Sequence, residues 1–256
     1  MAQTAVVTGA SNGIGLELSK ILAREGYDLV LAARSTDKLE RLRDEILSIH
    51  NVNITVVTAD LTLEEDRLKL MDSVPGDIDI LVNNAGFGDY GLYAECDWKK
   101  QERMVNLNVL ALSHLTHMVL PRMIARKSGR ILNVGSVASF QPGPLMSTYY
   151  ATKAYVLSMT EALSVELKGT GVTITALCPG PVNTGFTEAA NVVGVSLFKK
   201  SSGADARDVA EIGYRAMMKG KVIAINRFVL KLLVVCEKIL PRSMVRKIVY
   251  NIQSKR

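Results

Sequence analysis

Short β-branched runs alternate with helix-length segments along this chain, and that rhythm narrows its fold more than any other feature. The runs lie at residues 5–7, 29–31, 54–57, 78–82, 130–134 and 173–177, and the segments between them at 14–25, 36–48, 63–73, 98–126 and 148–168. Strands joined by helical crossovers of this length run parallel, with helices covering both faces of the sheet. The predicted class is therefore α/β, a doubly wound parallel sheet in three layers, α/β/α. A helix over 205–218, capped by Asp205, and a last run at 222–224 bring the sheet to about seven strands.

Length and composition fit one globular domain over 1–256. Of the 256 residues 48% are hydrophobic and 22% charged, which excludes the charge-rich composition of disordered chains. Cys96, Cys178 and Cys236 are odd in number and far apart, so neither a disulfide framework nor a metal half-site is expected, and a reducing, cytoplasmic setting fits. The start, MAQTAVVTGA, lacks the charged and apolar regions of a secretory signal. The longest apolar stretch, 228–236, is short and contains Lys231, so no spanning helix is expected.

The net charge of +6 is unevenly placed. Residues 226–256 hold eight Lys and Arg against one acid, Glu237, which leaves the first 225 residues at −1. A basic tail on a neutral body does not make a nucleic-acid surface, and none is predicted. The tail alternates apolar runs with Lys and Arg on both sides of Pro241. It reads either as helices packed over a cleft or subunit interface, the favoured reading, or as a basic amphipathic element on an anionic membrane.

Directly after the first strand stands Thr8-Gly9-Ala10-Ser11-Asn12-Gly13-Ile14-Gly15, opening into a helix. Glycines allow a tight turn and close backbone approach to phosphate, and the helix N-terminus favours an anion, so a dinucleotide is expected here. The spacing is Gly-x-x-x-Gly-x-Gly, and such a turn can also be purely structural. At the end of the second strand, where a carboxylate would accept the ribose 2′-hydroxyl of NAD, stand Ala33 and Arg34. A guanidinium there suits a 2′-phosphate and points to NADP; otherwise Arg34 simply begins a solvated loop. Asp60 ends the third strand, where it is placed to accept from the adenine amino group. Asn84-Ala85-Gly86 ends the fourth, where the chain passes close to a ribose.

Tyr149 and Lys153 are four residues apart, on one helix face about 6 Å apart along the axis, and the ammonium is expected to lower the phenol's pKa. Tyr150 and Tyr155 have no such lysine. With Ser136 at the end of the fifth strand, Asn108, Pro179-Gly180 and the glycine turn, this set resembles the short-chain dehydrogenase/reductase family over residues 4 to about 184. The resemblance implies a Rossmann fold in which Tyr149 gives the carbonyl oxygen its proton and Ser136 orients that oxygen. Lys153 would hold the nicotinamide ribose and tune Tyr149, and Asn108 would bend its helix and anchor a relay water; Asn106 competes for that role. Pro179, Gly180 and Thr184 would hold the nicotinamide carboxamide, with Ser11, Asn12, Ile14, Leu61 and Val182 as further cofactor contacts. Family members are often dimers or tetramers, and the same is expected here.

Other features carry less chemistry. His114 and His117 have no further ligands beside them, so no metal is predicted. Ser136 lacks the second glycine of a hydrolase nucleophile elbow. Residues 185–203 form a long loop of the kind that closes over substrates. Pocket walls are expected at 87–93, 140–146 and in that loop; their Phe, Tyr, Leu, Met and Pro favour an apolar substrate. A membrane-bound tail would suit a lipid substrate and the family's long-chain 3-oxoacyl reductases and hydroxysteroid dehydrogenases. The expected activity is NADP(H)-dependent reduction of a carbonyl to a secondary alcohol; the alternative is a protein that binds NADPH without turnover.

Overall fold

The computed structural model describes residues 3–186, 190 and 203–254, apart from the side chain of residue 238. Its centre is a sheet of seven strands: β1 (Thr4–Thr8), β2 (Asp28–Ala33), β3 (Ile54–Thr58), β4 (Ile80–Asn83), β5 (Gly129–Val134), β6 (Val172–Leu177) and β7 (Ile223–Ala224). All pairs are parallel, in the order β3-β2-β1-β4-β5-β6-β7. The fold is that of the doubly wound Rossmann type, as the alternation of runs and helices predicts.

Side chains along each strand alternate between two cores, because successive residues of a strand point to opposite faces. Ala5, Val7, Leu29 and Leu31 meet α1 (Gly13–Arg24), α2 (Thr36–Leu47) and α7 (Ala206–Met218), through Leu18, Leu22, Leu39, Leu42 and Val209. Val6, Val30, Leu81 and Ile131 face the other way, onto Leu70 of α3 (Glu64–Asp72) and Ala111, Leu115, Val119 and Met123. Strands buried on both faces need apolar residues at every position, which is why they read as runs and not as alternating patterns. Each fully buried Leu or Val contributes about 1.5–3 kcal/mol relative to exposure.

The segment predicted as one helix over 98–126 is three pieces: α4 (Trp98–Val105), a π-helical segment (Asn106–Ala111) and α5 (Leu112–Ala125). α6 (Ser147–Glu166) then leads into β6. The basic tail forms α8 (Phe228–Ile239) and α9 (Arg242–Gln253), broken at Pro241, which has no N–H to continue α8. Val234, Val245, Val249 and Gln253 are buried, so one side of this pair packs on the body. The predicted lid at 185–203 lies outside the described residues except for Gly185, Phe186, Ala190 and Gly203.

Candidate active site

Strand order reverses between β1 and β4, and a crevice opens at the carboxyl ends of those strands. One wall is the glycine turn. Gly9 has φ +66°, and a Cβ there would lie 2.7 Å from Asn84 Nδ2; a Cβ on Gly15 would lie 2.5 Å from the Gly9 carbonyl. Asn84 explains this closeness: its Nδ2 donates to the carbonyls of Thr8 (2.9 Å) and Gly9 (3.1 Å), and the Thr8 hydroxyl accepts from Asn84 N and Ala85 N. Asn84 thus braces the turn from the neighbouring strand. Asn12 caps α1, accepting from Gly13 N at 2.8 Å, and no acid stands in the first turn of that helix. Side chains are kept out of this cradle and the helix end is free of negative charge, so a pyrophosphate fits.

Arg34 follows β2 and lines the crevice, together with an arginine that sequence reading missed, Arg103 of α4. Arg103 Nη2 lies 2.7 Å from Asp60 Oδ2, while Asp60 Oδ1 accepts from the Thr62 hydroxyl (2.8 Å) and Thr62 N (3.2 Å). Partial burial alone would raise the Asp60 pKa, but the Thr62 hydrogen bonds and the charges of Arg103 and Arg34 hold it below the usual carboxylate range. Asp60 thus braces Arg103 while it lines the crevice where an adenine amino group is expected, and its Oδ2 keeps a further acceptor site. No spacing rule reveals this, since Arg103 is 43 residues from Asp60 and sits on an unremarkable polar helix face.

The proposed catalytic side chains converge from three elements. Ser136 follows β5 and caps the short turn Val137–Phe140, accepting from Ala138 N at 3.1 Å. Its hydroxyl favours ionisation of the Tyr149 phenol, which is 8% exposed and packs at a tilt against Phe186 at a centroid distance of 5.2 Å. Lys153 Nζ lies 5.8 Å from the Tyr149 ring centroid and donates to the Val134 carbonyl at 2.8 Å. Asn108, in the π segment, is buried: Oδ1 accepts from Phe87 N (3.1 Å) and Nδ2 donates to Phe87 O (2.9 Å) and Thr152 Oγ1 (3.1 Å). Asn106 sits at the α4–π junction, and no such set of contacts is found for it among the described residues.

Electrostatically the pair differs from the sequence expectation. Burial pushes the Tyr149 phenol up, and the Ser136 hydroxyl only partly offsets this. Burial also pushes the Lys153 ammonium down, to about 8. Desolvation penalises the charged form of both groups, and at the phenol it outweighs any lowering by Lys153, whose Nζ donates to the Val134 carbonyl.

All the residues proposed from the sequence line one cavity of about 590 Å³, except Gly15 and Asn108, which stand behind it. Phe87 and Gln141 represent the predicted walls at 87–93 and 140–146, and Phe186 the loop after β6. Leu92 and Tyr93 are exposed, and Met146 packs beneath Tyr149 and Tyr150. A further wall comes from α8, α9 and the turn between them, with Leu230, Leu233, Leu240, Val245 and Val249. Gln253 Nε2 bonds the Tyr150 hydroxyl, and the Tyr90 hydroxyl donates to the Gln253 carbonyl at 3.0 Å. In the same wall, Gln253 Oε1 and Glu237 Oε2 are buried acceptors with no hydrogen-bond partner among the described residues. His114 is packed, its Nδ1 accepting from Arg67 Nε at 3.0 Å, and the described residues contain no metal-binding cluster.

The sequence profile of the short chain dehydrogenases matches residues 3–192. An uncharacterized oxidoreductase of Staphylococcus epidermidis is 31% identical over 232 residues, 90% of this chain and 96% of that one. The 17-beta-hydroxysteroid dehydrogenase type 3 of Mus musculus is 36% identical over 197 residues, 75% of this chain and 64% of that enzyme. A short-chain dehydrogenase from Sphingobium yanoikuyae, solved in complex with NADPH, superposes with a TM-score of 0.83 at 29% identity, covering 92% of this chain and 94% of its own. A short chain dehydrogenase/reductase from Burkholderia phymatum, in complex with NAD, gives 0.84 at 26% identity, with 96% and 95% covered.

Proposed function

This chain belongs to the short-chain dehydrogenase/reductase family of oxidoreductases, and from that premise we propose that it reduces an apolar ketone, of 3-oxoacyl or steroid-like character, to a secondary alcohol with NADPH. The observation that carries this reading is a single cavity with Ser136, Tyr149 and Lys153 beside the glycine cradle and an apolar chamber walled by α8 and α9.

NADPH, when bound in the cradle, supplies the hydride. The residues of the chain manage the oxygen. The Tyr149 phenol, protonated at neutral pH, gives its proton to the carbonyl oxygen, and Ser136 offers that oxygen a second hydrogen bond. The tyrosinate left behind lies beside the Lys153 ammonium, which is mostly charged near pH 7 with its pKa at about 8. Each unit by which that charge lowers the tyrosine pKa is worth about 1.4 kcal/mol. Asn108 is a positioning residue: through Thr152, whose hydroxyl donates to the Tyr149 carbonyl at 2.7 Å, it ties the first turns of α6 to the backbone after β4.

Arg34 and Arg103 support NADPH over NADH, since two guanidiniums beside the end of β2 favour a 2′-phosphate. The mouse relative, named as a hydroxysteroid dehydrogenase, and the apolar chamber both support a bulky substrate. The free acceptors Gln253 Oε1 and Glu237 Oε2 favour one that carries a hydroxyl or amide N–H besides its carbonyl. The test is consumption of NADPH, with NADH in parallel, across 3-oxoacyl thioesters, ketosteroids, quinones and small aldehydes, with Tyr149→Phe as control. Turnover on bulky ketones that drops at least about 1,000-fold in Tyr149→Phe, with NADPH binding retained, is the expected result. Tight NADPH binding with no turnover on any compound would favour a sensor without catalysis.

A further inference from the structure

The inner side of the α8–α9 pair is buried against the body, while its outer side is exposed among the described residues. Phe228 is 79% exposed, Leu232 56%, Val235 55% and Ile239 80%. At 100° per residue these four fall within about 60° of one another, a continuous apolar stripe along the outside of α8. Met244, Ile248 and Ile252 make a second stripe on α9, at i, i+4 and i+8, each more than 40% exposed. Lys231 of α8 and Arg242, Arg246 and Lys247 of α9 are exposed on the same pair and form no ion pair among the described residues. Monomeric proteins rarely leave so much contiguous apolar surface in water without a partner for it.

We propose that α8 and α9 dock this protein on anionic lipid surfaces, lying in the headgroup region with the apolar stripes inserted and the basic side chains on lipid phosphates and carboxylates. The charge selects this occupant. Residues 226–256 hold eight Lys and Arg to one acid, so pairing two copies through the same face would bring two tails of +7 together. Anionic headgroups complement that charge, each basic residue near the surface adding to the attraction. Length selects lying over spanning: no helix among the described residues is long and apolar enough to cross a membrane, and the 12 residues of α8 extend about 18 Å against a hydrocarbon core of about 30 Å. The cavity meets the same face, because Leu233, Ile248 and Ile252 line it and are also exposed. An apolar substrate could therefore pass between bilayer and active site without crossing water. That last step rests on the reductase reading; the docking does not.

The test is co-sedimentation of the full-length protein with phosphatidylcholine vesicles and with vesicles containing 30% phosphatidylserine, at low and at 0.5 M salt. At least about tenfold more protein should bind the anionic vesicles at low salt, and most of it should leave at high salt. Two variants separate the contributions: Phe228→Ser/Leu232→Ser/Ile239→Ser, and Lys231→Glu/Arg246→Glu/Lys247→Glu. None of these six residues lines the cavity, so both variants should keep their circular dichroism and NADPH binding yet lose vesicle binding at least about tenfold. Equal binding to neutral and anionic vesicles, or retention by either variant, overturns the proposal. So does a wild type that stays off anionic vesicles while light scattering shows a dimer that the serine variant dissociates, which would make this face a contact between copies. Vesicle binding is read without turnover, so failure of the reductase reading leaves this result interpretable.

Discussion

Lys153 is a charged group held where charge is unwelcome, and that makes the site testable by pH. Its pKa lies at about 8 in the folded protein against 10.5 for a free lysine, and the cause is burial. The folded state therefore prefers the neutral amine. Below pH 8 the lysine is charged in both states and the fold bears the full desolvation penalty; stability rises as pH increases above 8, by up to about 1.4 kcal/mol per unit. Cys178 has the opposite sign: burial lifts its thiol from 9 to about 12, so stability falls as pH rises above 9. Between pH 8 and 9 the gain from Lys153 outweighs the onset of thiol ionisation at Cys178 and Cys96, both raised by burial, and urea unfolding of the cofactor-free protein should show a net rise in stability across that interval. Lys153→Met should flatten the rise, increase stability at pH 7 by about 2 kcal/mol after the lost bond to Val134 is counted, and abolish turnover. Tyr149 makes a second case. The four-residue spacing makes the Tyr149–Lys153 pairing legible in the sequence, but not the sign of the phenol's shift, because spacing says nothing of how dry the site is. Absorbance at 295 nm should show no Tyr149 ionisation below pH 10, so wild type and Tyr149→Phe should titrate alike up to that pH.

At the scale of elements, the π segment explains why Asn108 is where it is. A continuous α-helix from 98 to 125 would carry residue 108 past the β4 end on a fixed pitch; one widened turn re-aims it at Phe87 and Thr152. Asn108→Ala would leave the Phe87 N–H and carbonyl without partners in a partly buried place, and should destabilise the fold by about 2–4 kcal/mol, read as a lower urea midpoint at unchanged slope. Asn108→Asp keeps the acceptor for Phe87 N but sets a buried carboxylate oxygen against the Phe87 carbonyl, so its midpoint should fall at least as far as that of Asn108→Ala. The widened turn was not legible, since Asn106-Leu107-Asn108-Val109 fits the helical period either way. The strands were legible because burial on both faces demands apolar residues throughout. The tail was legible only in part: α8 is apolar nearly all round, so its periodicity could not say which side meets the cleft, and the inward role of Gln253 depends on Tyr90 and Tyr150, more than 100 residues away.

The whole molecule is built around a crevice to which the ends of β1, β2, β4, β5 and β6 all contribute, so cofactor binding ties both halves of the sheet together. That coupling makes thermal unfolding a direct reading of cofactor choice. A ligand that binds only the folded state at 100 times its Kd adds about 2.7 kcal/mol, which for a chain of this size shifts Tm by roughly 5–10 °C. With NADPH and NADH at equal concentration, the larger shift should come from NADPH, because Arg34 and Arg103 line the crevice beside the end of β2, where the proposed 2′-phosphate would sit. Arg34→Asp would set a carboxylate against that phosphate and offer an acceptor to a ribose 2′-hydroxyl instead, so the order should reverse. The Asp60–Arg103 pair limits how far. Asp60 already holds Arg103 at 2.7 Å, and with Arg34 gone Arg103 remains as a single counter-charge. The variant should therefore retain weak NADPH binding, and Arg34→Asp/Arg103→Ala should remove it while leaving the NADH shift in place. If NADH gives the larger shift in the unmodified protein, the two arginines serve the surface and not the cofactor, and the family's NAD-binding members are the better guide.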